Sequence, residues 1–241
     1  MSILNYGIVM GNKLFDLKDF GTIEEGTFIR RINRFVGLGK INGKTKKLYI
    51  SDTGRLTEIL KEGVKIKVYK NKPDLKTDYT LLTVNTDGEN ILINTSIHSQ
   101  IGYNAINTGI LGHIPKKIKK EVVYGNSRLD YLVDDKIFVE LKGCNLKIGN
   151  VGYFPDAPTV RGVKHLKELI KCKEEGYDSV ILIMVLRDVE YFSPNLERDE
   201  NFFKMFYHAL SKGVKYRGFK IHVDDDLKVY LKDKNVPLLE W

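Results

Sequence analysis

Short apolar runs alternate with polar punctuation over the first 95 residues or so. Segments 27–36, 47–51, 64–69 and 81–86 are rich in β-branched and aromatic residues. Turn-forming residues separate them: Asn42-Gly43, Gly63, and Asp87-Gly88 ahead of Asn90-Ile91-Leu92-Ile93. Several short strands joined by tight turns predict a small barrel or sandwich. Segment 55–61 reads as a helical turn or two between strands.

The pattern then changes. Residues 96–120 read as helical, with a break at Pro115 and a basic cluster of Lys116, Lys117, Lys119 and Lys120. From Val122 onward the chain alternates strand and helix. Segments 129–133 and 137–142 read as strands. Val163, Leu166, Leu169 and Ile170 recur at helical spacing, and Gly176 ends that helix. Residues 180–186 form a continuous apolar run, as in a strand buried on both faces. A second helix is predicted over 201–212, ended by Gly213, with strands at 214–223 and 229–231. The division that follows is residues 1–95 as an all-β domain and 96–241 as a mixed α/β domain.

Composition narrows the function classes. The 241 residues can bury a real core, and 42% apolar with 29% charged residues excludes a disordered chain. The net charge of +8 suits a polyanion partner or simply a solvated lysine-rich surface. Residues 1–10 lack a secretory pattern, and 180–186 is too short to span a bilayer, which needs about 20 residues. Cys144 and Cys172 do not form a CxxC pair, and they suit a reducing cytoplasm. Cytoplasmic location and no membrane association are the resulting expectations.

The chemistry concentrates at Ser127-Arg128-Leu129-Asp130-Tyr131-Leu132-Val133, the loop Asp134-Asp135-Lys136, and Ile137-Phe138-Val139-Glu140-Leu141-Lys142. As a hairpin with a three-residue loop, it sets Val133 against Ile137, Tyr131 against Val139 and Leu129 against Leu141. That face is wholly apolar. The other face then sets Asp130 against Glu140, with Lys142 next along. Directly opposed residues lie roughly 4.5–5.5 Å apart at Cβ. Two carboxylates at that distance repel unless a cation or a proton joins them. Hard oxygen ligands favour Mg²⁺ or Mn²⁺, and a lysine alongside can orient water or stabilise charge on a phosphate. An exposed ion-pair ladder is the ordinary alternative for such a hairpin.

A longer set of motifs goes further. Asp130 followed by Glu140-Leu141-Lys142 matches the PD-(D/E)XK nuclease pattern. Gly125-Asn126-Ser127-Arg128-Leu129-Asp130, Glu140-Leu141-Lys142-Gly143, Phe154-Pro155-Asp156-Ala157-Pro158-Thr159, Arg161-Gly162-Val163-Lys164-His165-Leu166 and Phe192-Ser193-Pro194 occur in order. Thr53-Gly54-Arg55-Leu56 stands upstream. Together they resemble the sugar fermentation stimulation protein family, from about residue 15 onward. The resemblance implies an N-terminal OB-like β-barrel and a C-terminal PD-(D/E)XK nuclease-like α/β/α domain. It also implies non-specific DNA binding linked to sugar metabolism. By position, Asp130 and Glu140 would be metal ligands and Lys142 the catalytic lysine. Glu121 would be a further ligand, where this nuclease class often has a helical carboxylate. The chain departs from the family pattern at Ser51-Asp52, where Pro-Asn is frequent, and at Asn145, where Thr is frequent.

Other residues extend this picture. Arg161, Lys164 and His165 at a helix start suit phosphate, although His165 alone could be a surface histidine. Asp156 is a loop acid that forms a turn, meets the metal or orients Arg161. Arg128 should neutralise a neighbouring acid. Arg30, Arg31 and Arg34 with Phe35 resemble a basic, aromatic OB surface for single strands, Phe35 alone favouring the core. Arg55 is a candidate for substrate or interdomain contact. The expected function is a DNA-binding protein with a Mg²⁺- or Mn²⁺-dependent nuclease site. The competing readings are a DNA-binding regulator without turnover and an enzyme acting on a phosphorylated metabolite.

Overall fold

A computed structural model describes residues 11–125 and 127–240. The reading of residues 1–10, and Asn126 of the Gly125-Asn126-Ser127 motif, lie outside the described residues. Strand β1 (Lys13–Asp16) comes first. Six strands follow: β2 (Ile23–Arg31), β3 (Val36–Ile41), β4 (Lys44–Tyr49), β5 (Lys65–Lys70), β6 (Tyr79–Thr86) and β7 (Glu89–Leu92). They pair in the order β4-β3-β2-β5-β6-β7, and β4 also pairs with β6, closing a five-stranded barrel. The predicted turns join β3 to β4 and β6 to β7: Asn42 and Gly43 have φ of 48° and 74°, Asp87 and Gly88 of 53° and 75°. Positive φ at both central residues is what a tight two-residue hairpin requires.

The rest comprises α1 (His98–Ile106), β8 (Ile118–Tyr124), β9 (Ser127–Val133), β10 (Ile137–Cys144), β11 (Leu146–Ile148), β12 (Val151–Phe154), α2 (Val160–Glu174), β13 (Asp178–Val185), β14 (Tyr191–Pro194), α3 (Glu200–Ser211), β15 (Lys215–Val223) and β16 (Lys228–Asp233). Seven strands form one sheet in the order β1-β16-β15-β13-β10-β9-β8. A small sheet, β11-β12-β14, stands beside it.

The apolar run on β13 occupies the centre and is buried on both faces. Val180, Leu182 and Met184 join the cluster containing the barrel core and α1. Ile181, Ile183 and Val185 join the cluster formed with α2 and α3. The sheet is thus sandwiched between α2 and α3 on one side and α1 with the barrel on the other. The barrel and the sheet share one hydrophobic core.

Three expectations are corrected here. The division at residue 95 is crossed by β1, which pairs antiparallel with β16 and so belongs to the C-terminal sheet. The helix predicted over 96–120 stops at Ile106, and β8 replaces its end. Lysines belong on β8 because an edge strand is guarded by charge against further pairing. Leu129 does not face Leu141: it packs in the helix-side cluster. The β9–β10 ladder holds from Val133–Ile137 to Tyr131–Val139, and beyond it the Asp130 carboxylate accepts the Leu141 amide at 2.7 Å. Among the described residues, no helix is long and apolar enough to cross a membrane.

Candidate metal and nucleic-acid site

The β9–β10 hairpin positions the acidic pair. Its loop has Asp134 and Asp135 at positive φ, and Lys136 N donates to Val133 O at 3.0 Å. Asp134 also accepts the amides of Lys116 and Lys117, which pins the loop beneath the start of β8. Glu140 is thereby fixed on the helix-facing side of the central sheet, beneath His165 of α2, and Asp130 lies beside it on β9, bonded to the Leu141 amide.

Glu140 is 2% exposed. Its Oε1 takes both Lys142 Nζ and His165 Nδ1. Its Oε2 is buried without a hydrogen-bond partner. Burial pushes this carboxyl up, but Lys142 and His165 outweigh it and hold it below the ordinary range. An ionised carboxylate with one orphaned buried oxygen is costly unless something occupies that oxygen.

Asp130 has the opposite balance. Burial first, then repulsion from Glu140 and Glu121, raise its carboxyl to about 6, against the opposing pull of the Leu141 amide and Lys142. A carboxyl raised on folding stabilises the protein in its protonated form. That contribution is full below its unfolded pKa and is lost as pH rises through the folded value. Relative to Asp130→Asn, the metal-free protein is expected to lose about 2–3 kcal/mol between about pH 4 and about pH 6. Urea midpoints across that range test this, and parallel pH profiles for the two proteins would refute it.

Of the other predicted site residues, the structure brings Arg161 and His165 to this pair. His165 is not a surface residue: it is 5% exposed, because α2 lays it against the sheet over Glu140. Arg161 Nε lies 3.4 Å from His165 Nε2, which suits a ring that gives its Nδ1 proton to Glu140. Lys142 Nζ lies 3.2 Å from His165 Nδ1. The α2 start is held by Thr159, which caps Gly162 N, and by Asp199, which accepts Thr159 N at 2.7 Å. Lys164 is exposed on the same helix.

Glu121 is corrected. It lies on a strand, not a helix, between Lys120 and Val122, which pair with Tyr131 and Leu129 of β9. Its φ is 54°, its side chain is half exposed, and it pairs with Arg128 at 3.5 Å. Arg128 therefore neutralises a neighbouring acid, as expected. Among the described residues, no three His, Cys, Asp or Glu side chains converge on a metal position. The available set is Asp130 with Glu140.

The barrel approaches this site through its 52–55 loop. Arg31 holds that loop, donating to the carbonyls of Asp52, Gly54 and Arg55 at 2.9, 2.6 and 3.0 Å. Arg34 and Phe35 lie in the turn after β2 rather than within a strand. Arg34 Nε reaches Thr53 O at 3.3 Å. Phe35 is 46% exposed, against the expectation of a core position, and Arg34 sits 6.0 Å over its ring. Arg30 and Arg55 are exposed, with Arg55 contributing its carbonyl to Arg31.

Asp156 neither reaches Asp130 nor orients Arg161 through a hydrogen bond. It accepts Leu56 N at 3.2 Å, and a Cβ on Gly54 would land on its carboxylate. Any larger residue there would have to push the Asp156 carboxylate aside. The two departures from the family pattern meet across the same seam, with Asn145 Nδ2 donating to Asp52 Oδ2 at 2.8 Å. Burial raises Asp52 to about 6. Sequence reasoning gave no role to Asp52, His98 or Tyr153, all of which line the cleft between barrel and sheet. The paired departures at Asp52 and Asn145 were the signal that could have found this seam.

The comparisons agree with this architecture. A family described as "SfsA N-terminal OB domain" matches residues 29–93. One described as "Sugar fermentation stimulation protein RE domain" matches residues 96–227. Sugar fermentation stimulation protein homologs resemble the chain over most of both lengths. The one from Sulfolobus acidocaldarius is 38% identical over 93% of this chain and 95% of its own. The one from Thermotoga neapolitana is 37% identical over 90% and 96%. The solved structure of Pyrococcus furiosus SfsA in complex with Ca²⁺ superposes with a TM-score of 0.85. It is 30% identical and covers 95% of this chain and 100% of that one. With both halves matched in order and relatives aligned nearly end to end, the chain belongs to the sugar fermentation stimulation protein family.

Proposed function

We propose that this protein binds DNA non-specifically and hydrolyses phosphodiester bonds at a divalent-metal site formed by Asp130 and Glu140. The observation that carries the reading is the buried, partnerless Glu140 Oε2 beside Asp130. Two carboxylates suit Mg²⁺ or Mn²⁺, which keep water and phosphate oxygens for their remaining positions. The relative of known structure was solved with Ca²⁺, another oxygen-seeking cation, which supports the same preference. When bound, such an ion polarises a phosphoryl oxygen and lowers the pKa of coordinated water.

The chain's own residues supply the rest. Asp130 and Glu140 would hold the ion. His165 fixes the Glu140 carboxylate from the α2 side through Oε1 and leaves Oε2 without a protein partner. Lys142, held in the same group, stabilises charge developing on the phosphate. Arg161 and Lys164 at the helix start, with Arg30, Arg34 and Arg55 on the barrel, contact backbone phosphates. Two buried free cysteines fit a reducing cytoplasm as the place of action.

Calorimetric titration of Mn²⁺ and Mg²⁺ into wild type and Asp130→Ala, followed by a nuclease assay with the better metal, tests the proposal. Binding lost in the variant, with metal-dependent cleavage by wild type, is the expected result. DNA affinity should also fall steeply with salt, with one counterion released per phosphate contact. A regulator without turnover is favoured by one observation, that Glu140 Oε1 is already taken by both Lys142 and His165. Metal-independent DNA binding with no cleavage would select it.

A further inference from the structure

Between the barrel loop at 52–54 and the segment 153–162 lies a cavity of about 330 Å³ that reaches Lys142. Its chemistry is polarised. Arg34, Lys142 and Arg161 supply positive charge, Asp52 and Asp156 supply carboxylates, and Tyr153 and Phe154 supply rings. Both domains fix its walls: Arg31 holds the loop carbonyls, Asn145 holds Asp52, and Asp156 holds the Leu56 amide. His98 lies on Gly143 at the cavity, with its Nε2 buried and partnerless. The space is therefore built in advance and shared between two domains.

Its size selects the occupant. Pockets for small organic molecules start near 300 Å³, so this one takes a single nucleotide-sized group. A stacked, paired base cannot enter a space of this size, because a base reaches a closed pocket only when it is taken out of the stack. A lone phosphate would leave the rings unused. Carboxylates repel a phosphate but accept hydrogen bonds from base amino groups, and aromatic rings stack on bases. Arg34 both lines this cavity and sits over exposed Phe35. Tyr49, 40% exposed at the end of β4, pairs with Val36 in the adjoining strand. Arg34 thus links exposed Phe35 on the barrel surface to the cavity.

We propose that this cavity seats one unpaired nucleotide of the strand being cut. Its phosphate lies toward Lys142, Arg161 and Arg34, and its base toward Tyr153, Phe154 and the two carboxylates. The substrate class is DNA with unpaired nucleotides: single strands, frayed ends and overhangs. This rests on the nuclease reading of the adjoining site, but its test does not need turnover.

The test measures binding by the full chain in EDTA. Wild type is expected to bind a duplex carrying a short single-stranded overhang about tenfold more tightly than the same duplex made blunt, because stacking one base contributes about 1–3 kcal/mol. Equal affinity overturns the proposal. Ala157→Phe and Thr53→Trp narrow the cavity from its two walls. Each is expected to remove the overhang preference and leave blunt-duplex affinity within about twofold. A retained preference in both variants, with thermal melts like wild type, also overturns it. Overhang preference lost in the variants, with no cleavage of any substrate by wild type, would reject the nuclease reading and keep the cavity assignment.

Discussion

Glu140→Ala is expected to abolish metal-dependent cleavage, by about 10³-fold or more, while DNA affinity changes by less than about threefold. The separation follows from where Glu140 sits. It is buried and touches Lys142 and His165, whereas the other cations proposed to contact phosphates lie outside it on α2 and the barrel. Losing a group that organises transition-state charge costs about 10²–10³ in rate, and losing a metal ligand as well adds to this. The variant also leaves Lys142 charged in a site where its side chain is 14% exposed. Uncompensated buried charge is costly, so a lower melting temperature should accompany the lost activity. Glu140→Gln keeps the shape and part of the hydrogen bonding, and should melt closer to wild type while remaining inactive. Cleavage by Glu140→Ala at the wild-type rate would refute the assigned site.

Arg187→Ala should cost about 2–3 kcal/mol of stability without touching the site, a drop of about 5–10 °C for a chain of this size. Arg187 is 4% exposed. It donates to Glu89 at 2.5 Å and Asp87 at 2.8 Å, so it ties the β6–β7 turn of the barrel to the end of β13. Truncation strands two carboxylates opposite an apolar methyl. Asp87 is largely exposed and Glu89 keeps Lys147 at 3.8 Å and the Asp188 amide, which moderates the loss. Arg187→Lys should recover only part of it, because an ammonium cannot reach both acids as a planar guanidinium does. A melt unchanged by Arg187→Ala would show that the shared core alone holds the two domains together.

Much of the fold was legible because burial writes strong periods into sequence. The β13 run, the α2 stripe and the first three pairs of the β9–β10 ladder follow from apolar spacing alone. What failed was decided by partners distant in sequence. Edge strand β8 reads as helix because its lysines answer to solvent, not to a core. Leu129 changes face because Asp130 replaces a ladder bond with its side chain. His165 looks like any helix-surface residue until β10 puts Glu140 beneath it. The cleft was invisible for the same reason: Asp156 meets Leu56 a hundred positions away.

The pairing of β1 with β16 has an evolutionary corollary. The sheet that carries Asp130 and Glu140 is discontinuous along the gene, because the barrel is spliced between its first strand and the remainder. A fragment starting at residue 96 would expose the backbone of β16 as an open edge, which invites aggregation. The barrel, anchored at both ends, can be gained, lost or exchanged only as an insertion. Recombination within this family would therefore need two breakpoints, one on each side of the barrel, to leave the site intact.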